Sequence, residues 1–325
     1  DVYKRQGMWL AFILHGIGIV ATLLAYDLAT LFTATVFIGI GNGMVEAVCN
    51  PLVASMYPDK KTKMLNRFHI WFPGGIVIGS IIGYVLMDVL GLGWQFLVST
   101  LFIPLAVYGF LFVGQAFPQT ERVQMGVSAR QSAMSLLTPL YLFVGFCMLL
   151  SAATELGTTQ RIESLLSATG VNALLVLAFI NGIMMIGRAM AGSIANRIST
   201  VGMLWFSAIF SFIGLQLLTM ASGGFVFIAA AVFAVGVTFF WPTTLALISE
   251  RLPESGALGL SIMGGLGMLS VSFVLPIMGR ILDNASGAEA LRTMSILPAI
   301  LIVLYGGLFF VMRSRAGAPA GSATH

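Results

Sequence analysis

Asn42, Glu46 and Asn50 recur every fourth residue in the apolar run Gly39-Ile40-Gly41-Asn42-Gly43-Met44-Val45-Glu46-Ala47-Val48-Cys49-Asn50-Pro51. That spacing puts all three on one face of a helix. An ionisable group inside an apolar helix is costly, so function is the first expectation: the carboxyl faces a wet cavity and can take up and release a proton. The amides one turn away could bond that carboxyl or a polar solute. The bland reading is a protonated glutamic acid bonded across a helix interface.

Other polar groups interrupt apolar stretches. Glu155 shares a face with Ser151 and Thr158, and is expected at the outer end of its helix as a solute contact or a surface residue. His69 opens a helix after a basic loop and could donate a hydrogen bond or titrate. Trp71 beside it reads as an interfacial aromatic anchor. Asn181 faces the same side as Met184 and Arg188. Trp241 lies on one face with Thr238 and could stack on a ring, while Pro242 frees a backbone carbonyl three to four residues earlier. Arg188 and Arg197 flank Gly192 in a run of small residues, which reads as a helix end and gating loop. His15 stands alone on an apolar helix and receives no role. The candidates are therefore Glu46 for proton coupling, Asn42, Asn50, His69, Glu155, Asn181 and Trp241 for solute binding, and Arg188 and Arg197 for gating.

The elements that must position these residues follow from composition. The chain has 325 residues, 58% hydrophobic and only 9% charged. So few charges cannot coat a soluble fold around that much apolar side chain. A soluble enzyme, a disordered chain and a nucleic-acid binder are excluded. The net charge of +4 lies in short loops. Cys49 and Cys147 both lie in apolar segments and read as buried thiols. A bilayer asks for about 20 apolar residues per helix. Stretches free of Asp, Glu, Lys and Arg run 6–26, 28–45, 68–87, 89–120, 131–154, 164–187, 198–249, 255–279 and 293–312. Ala221-Ser222-Gly223-Gly224 divides 198–249, giving ten membrane helices.

Alternate loops hold 13 of the 16 Lys and Arg residues, against 3 on the other side. By the positive-inside rule the basic side is cytoplasmic, and both termini with it. The expected divisions are a non-native lead-in at 1–6, a partial amino-terminal bundle of four helices at 7–114, a cytoplasmic linker at 115–137, a six-helix bundle at 138–312 and a cytoplasmic tail at 313–325. The lead-in, Asp1-Val2-Tyr3-Lys4-Arg5-Gln6, is also the translation of a transposon end used in preparing DNA libraries. Four helices before the linker and six after it lead to the expectation that this is spans three to twelve of a twelve-span protein. There is no Walker loop and no His/Cys/Asp/Glu cluster with metal-ligand spacing, so neither metal nor cofactor is expected.

The pattern Gly-x-Gly-x-x-x-Glu-x-x-x-Asn-Pro, present through Gly39, Gly41 or Gly43 with Glu46, Asn50 and Pro51, is followed by Leu65-Asn66 and Gly75. It resembles the fucose–proton symporter family of the major facilitator superfamily. Gly187-Arg188 with Gly192 and Arg197 is similar to that superfamily's loop signature. The resemblance implies an all-α fold of two six-helix bundles with alternating access. It implies that Glu46 stands at the family's intramembrane carboxylate and Asn50 at its neighbouring Asn. His69 stands where the fucose symporter has a Gln, which argues against fucose itself. The expected function is proton-coupled uptake of a monosaccharide or similar solute across the inner (plasma) membrane by a multi-pass monomer. Its partners are protons, the sugar-like solute and lipid, with no nucleic acid. Efflux of drugs or metabolites is the alternative in the same fold, and a polytopic membrane enzyme a remote one.

Overall fold

The computed structural model describes residues 2–118 and 125–316. Linker residues 119–124, the tail beyond 316 and Asp1 lie outside the described residues. Among the described residues the fold is all-helical and contains ten helical segments long and apolar enough to cross a membrane. They are α1 (Lys4–Leu23), α2 (Leu28–Met56), α3 (Pro58–Val89), α4 (Trp94–Phe112), α5 (Pro139–Gln160), α6 (Ala173–Ile198), α7 (Thr200–Leu218), α8 (Phe225–Arg251), α9 (Pro253–Asn284) and α10 (Gly287–Ser314).

Local chemistry sets the ends. Asp27 caps α2: its carboxylate accepts the Thr30 N–H at 2.8 Å while the Thr30 hydroxyl accepts the Asp27 N–H. Thr138 caps α5 with Pro139 in the first helical position, where its missing N–H costs nothing. Asn172 caps α6 through the N–H groups of Leu174 and Leu175. Ser199, at φ +65°, ends α6 and caps α7 through the Gly202 N–H.

Several helices differ from the charge-free stretches. Helix α2 does not stop at 45 but carries Glu46, Asn50 and Pro51 inside it and ends at Met56. The basic residues Lys61, Lys63 and Arg67, expected in a loop, form a helix from Lys61 to Phe68 that opens α3. Helix α4 ends at Phe112 rather than 120, because the chain turns at Gly114, whose φ of +75° favours glycine. The largest correction is α6, expected to end at 187. It runs unbroken to Ile198, so Arg188 sits ten residues, about 15 Å, from that end. Without Arg188 the loop charges divide 12 against 3, so the sidedness argument keeps its sign.

The core lies mainly in α5 to α10, where Val144, Met148, Leu204, Phe233, Leu245 and Tyr305 pack without solvent contact. Helix α1 lies along α2, and α4 packs on α1. Helix α7 packs on α8 and α10, and α5 on α8 and α9. The first four spans meet the last six chiefly where α3 packs on α6 and α8, and where α2 packs on α9. Long exposed apolar side chains such as Phe32, Trp71, Phe110 and Phe273 cover the outside, as a lipid-facing surface requires.

Candidate functional site

The polar side chains of α2 do not act alone. Asn50 donates through Nδ2 to Glu46 Oε2 at 2.6 Å. Its Oδ1 can only accept, so the 2.9 Å contact with His69 Nε2 is a donation from the imidazole. This chain, Glu46–Asn50–His69, crosses from α2 to α3. Asn50 and His69 are buried, and Glu46 is half-buried. Trp241 on α8 faces the Glu46 carboxylate without reaching ordinary hydrogen-bond geometry, which leaves its Nε1 buried with no partner.

Arg188 is the hub of a second set and is almost wholly buried. Its Nη2 donates to Glu155 Oε1 at 3.0 Å, forming an ion pair between α6 and α5. Its Nε donates to the Thr238 carbonyl and its Nη1 to the His69 carbonyl, each at 2.9 Å. Both carbonyls are free for a sequence-level reason. Helical carbonyls bond the N–H four residues on. Four residues beyond His69 stands Pro73, and four beyond Thr238 stands Pro242. Neither has an N–H to give. One guanidinium therefore takes up the two acceptors that the prolines release, one in each half of the molecule.

Glu155 lies in a π-helical turn, Ala153–Gly157, inside α5. Such a turn inserts one residue and redirects the side chains around it. Of the two readings the sequence left for Glu155, solute contact or surface residue at the outer helix end, the surface one does not hold: it is 2% exposed and faces inward, with Oε2 lacking any hydrogen-bond partner.

The remaining candidates fall elsewhere. Asn42 is exposed and pairs with His15, not with Glu46. Asn181 is buried and bonds the Leu177 carbonyl of its own helix at 2.8 Å, outside both networks. Arg197 is exposed at the end of α6. His15 is not isolated as expected. Asn42 Oδ1 accepts its Nε2–H at 3.1 Å, and Nδ1 is left to accept the Tyr108 hydroxyl at 2.9 Å. Gly41 makes room for it, since a Cβ there would land 2.5 Å from the imidazole. The sequence signal for this contact was Gly41 in the same register as a lone polar residue on the preceding helix.

At one end of the bundle hydrogen bonds join the first four spans to the last six. Lys61 Nζ donates to the Ser249 carbonyl at 2.8 Å. The Thr62 N–H and hydroxyl both bond Glu250 Oε1, and Thr200 bonds Glu250 Oε2 at 3.0 Å. Asn66 Nδ2 donates to Thr243 Oγ1 at 3.2 Å. With the Arg188–His69 contact, these bonds run through residues 61–69 of α3, at the end that carries the basic loops. Among the described residues no group of three or more His, Cys, Asp or Glu could hold a metal ion.

The fold and this site define a class: a polytopic helical membrane protein with buried charges set between two groups of spans. The sequence pattern of the Major Facilitator Superfamily matches residues 1–257. The chain belongs to that superfamily and is a multi-pass membrane transporter. No curated protein matches. Solved structures do. The E. coli fucose:proton symporter FucP is 16% identical, with a TM-score of 0.72 over 93% of this chain and 83% of that one. The proton:xylose symporter XylE, bound to 6-bromo-6-deoxy-D-glucose, is 13% identical, with a TM-score of 0.76 over 94% of this chain and 80% of that one. A bacterial homologue of ferroportin, in an outward-facing state, is 14% identical, with a TM-score of 0.66 over 96% and 84%. At such identities the likeness is one of fold.

Proposed function

We propose that this transporter couples inward movement of protons to uptake of a monosaccharide or similar polar solute by alternating access. The observation that carries the reading is the Glu46–Asn50–His69 chain, a carboxyl group held by hydrogen bonds at mid-span beside the contact between the halves. Ionisable groups at such depth mark proton or substrate paths. The unpartnered Trp241 Nε1 and the amide of Asn50 offer a solute donors, and the indole offers a stacking face. The names of the fold neighbours, sugar:proton symporters, support the same solute class.

The two rocking units are the bundles 7–114 and 138–312, joined by 115–137. The basic end and both termini face the cytoplasm of a cell bounded by the inner (plasma) membrane. The latch through Lys61, Thr62 and Glu250 then closes the cytoplasmic side, and Arg188 and Arg197 belong to the region that must part when it opens. Asn42, His69 and Glu155 line or brace the pathway, while Asn181 braces α6. The protein works as a monomer.

The test is uptake of radiolabelled L-fucose and D-xylose into proteoliposomes under an inward proton gradient, with external pH followed in parallel. Solute-driven alkalinisation is expected in the wild type and lost in Glu46→Gln, with solute exchange retained. Alkalinisation that survives unchanged in Glu46→Gln would defeat the role of Glu46. Proton-driven export in place of uptake would favour the efflux reading.

A further inference from the structure

Arg188 brings one positive charge to a place where two carboxyl groups face it. Glu155, from its own half, bonds Nη2 through Oε1 and keeps Oε2 buried and unpartnered. Glu46, from the other half, is tied to the same guanidinium through Asn50 and His69, whose backbone carbonyl accepts from Nη1. Few other titratable groups face this set. Helix α3 contributes His69, whose ring is held by Asn50. Helix α2 adds Cys49, which lies close to Glu46. Helices α5 and α10 add Cys147 and Tyr305, both buried. Helix α9 meets the π-turn with Val274 and Met278, and its Arg280 and Asp283 are exposed. Helix α8 faces it with Trp241 and hydroxyls, its Glu250 being bonded to Thr62 and Thr200, and α1 offers His15, bonded to Asn42 and Tyr108.

We propose that Glu46 and Glu155 share a single proton around Arg188, so that the coupling proton can rest on either half of the molecule. The reason is charge balance. A buried ion without a counter-charge is strongly unfavourable, and two neighbouring carboxylates resist ionising together. One cation is balanced by one carboxylate, and the second carboxyl keeps its proton. The pair titrates as a unit, not as two independent acids. Only O–H bonds are made or broken: the proton comes from water on one side of the membrane and leaves to water on the other.

This deepens the symport reading and rests on it for its consequence in transport. Parting the halves at the basic end breaks the Arg188–His69 contact, while Glu155 stays with Arg188 on the same half. Glu46 then meets cytoplasmic water, which solvates its carboxylate and takes the proton. Closing the latch returns Glu46 to Arg188 and Glu155, where one cation again balances only one carboxylate and the set takes its proton from the outer side. Glu155 is thereby more than a fixed counter-ion, because its charge decides whether Glu46 can ionise.

The experiment is infrared difference spectroscopy of the protein in liposomes during a pH titration, reading the carbonyl band of protonated carboxylic acids in the absence of any solute. The wild type is expected to show that band, and both Glu46→Gln and Glu155→Gln to lose it, since each leaves one carboxylate balanced by Arg188. Arg188→Gln is expected to raise the band about twofold as both acids hold protons. Arg188→Lys keeps the charge and the wild-type band, and covers the case in which Arg188→Gln does not fold. A band that persists at full strength in Glu155→Gln would overturn the proposal, because Glu46 would then hold its proton regardless of Glu155. The titration uses no solute, so a chain that moved neither L-fucose nor D-xylose would count against the sugar-symport reading and leave this result standing.

Discussion

At the scale of single residues the candidate site is a matter of who pairs with whom. The spacing of Asn42, Glu46 and Asn50 was legible as a stripe, but the stripe divides. Asn50 turns to Glu46 and His69, and Asn42 to His15. No periodicity along α2 could reveal that division, because each choice depends on a side chain from another helix. Trp241 is placed the same way. A Cβ on Gly267 of α9 would meet its ring at 2.5 Å and the Met148 methyl at 2.8 Å. Gly267→Ala is therefore expected to push the indole away from Glu46. The outcome to measure is a several-fold rise in the KM for uptake with a shift in tryptophan fluorescence. An unchanged KM would remove Trp241 from the solute pathway.

At the scale of elements, proline does in this fold what a charged partner does elsewhere. Pro73 and Pro242 each leave a carbonyl for Arg188. Pro73→Ala restores an N–H that can satisfy His69 O within the helix. We expect this to weaken the contact between α3 and α6 and to raise the reactivity of single cysteines placed at the basic end. Close helix crossings make a second demand. Gly236 lies against the backbone of Ser211, so Gly236→Ala must separate α7 from α8. Overpacking of this kind costs about 1–3 kcal/mol, to be read as a lower thermal midpoint in detergent. Helix starts carry a smaller, pH-dependent contribution. The Thr30 hydroxyl and N–H bonded to Asp27 hold its carboxyl below the usual range. A depressed acid stabilises fully above its unfolded value, about pH 4, and that contribution fades as pH falls further. The protection factor of the Thr30 amide, its exchange relative to the unprotected rate at the same pH, should fall in that acid window, and Asp27→Asn should remove the change.

At the scale of the whole molecule, the alternating-access reading makes the contacts through residues 61–69 the ones that hold the basic end shut. Glu250 gathers three donors from α3 and α7. Its carboxylate also meets the N-terminus of the helix that opens at Lys61, where negative charge is favoured. Glu250→Ala is expected to loosen the latch and shift the population toward the form open at the basic end. Longer distances between spin labels on α3 and α8 would register the shift, and unchanged distances would remove Glu250 from the gate. Gln in place of Glu250 should give a smaller effect, since it keeps one acceptor. The polar face of α3 that makes this latch was read from the sequence as a loop, because its charges masked a short helix whose partners lie in α6 and α8.

Composition and local spacing fixed much of this protein. A chain that is 58% hydrophobic and 9% charged belongs in a membrane, its long charge-free runs call for helices, and breaks at glycines, prolines and capping residues give ten of them among the described residues. Glu46 was visible because a carboxyl in a span is costly wherever it points. The environment of Arg188 was not visible. A charge-free count ends a helix at the first arginine, and only packing reveals that a guanidinium has enough partners to remain inside. Those partners, Glu155, His69 O and Thr238 O, come from three helices far apart in the chain, and their convergence is a property of the tertiary structure alone.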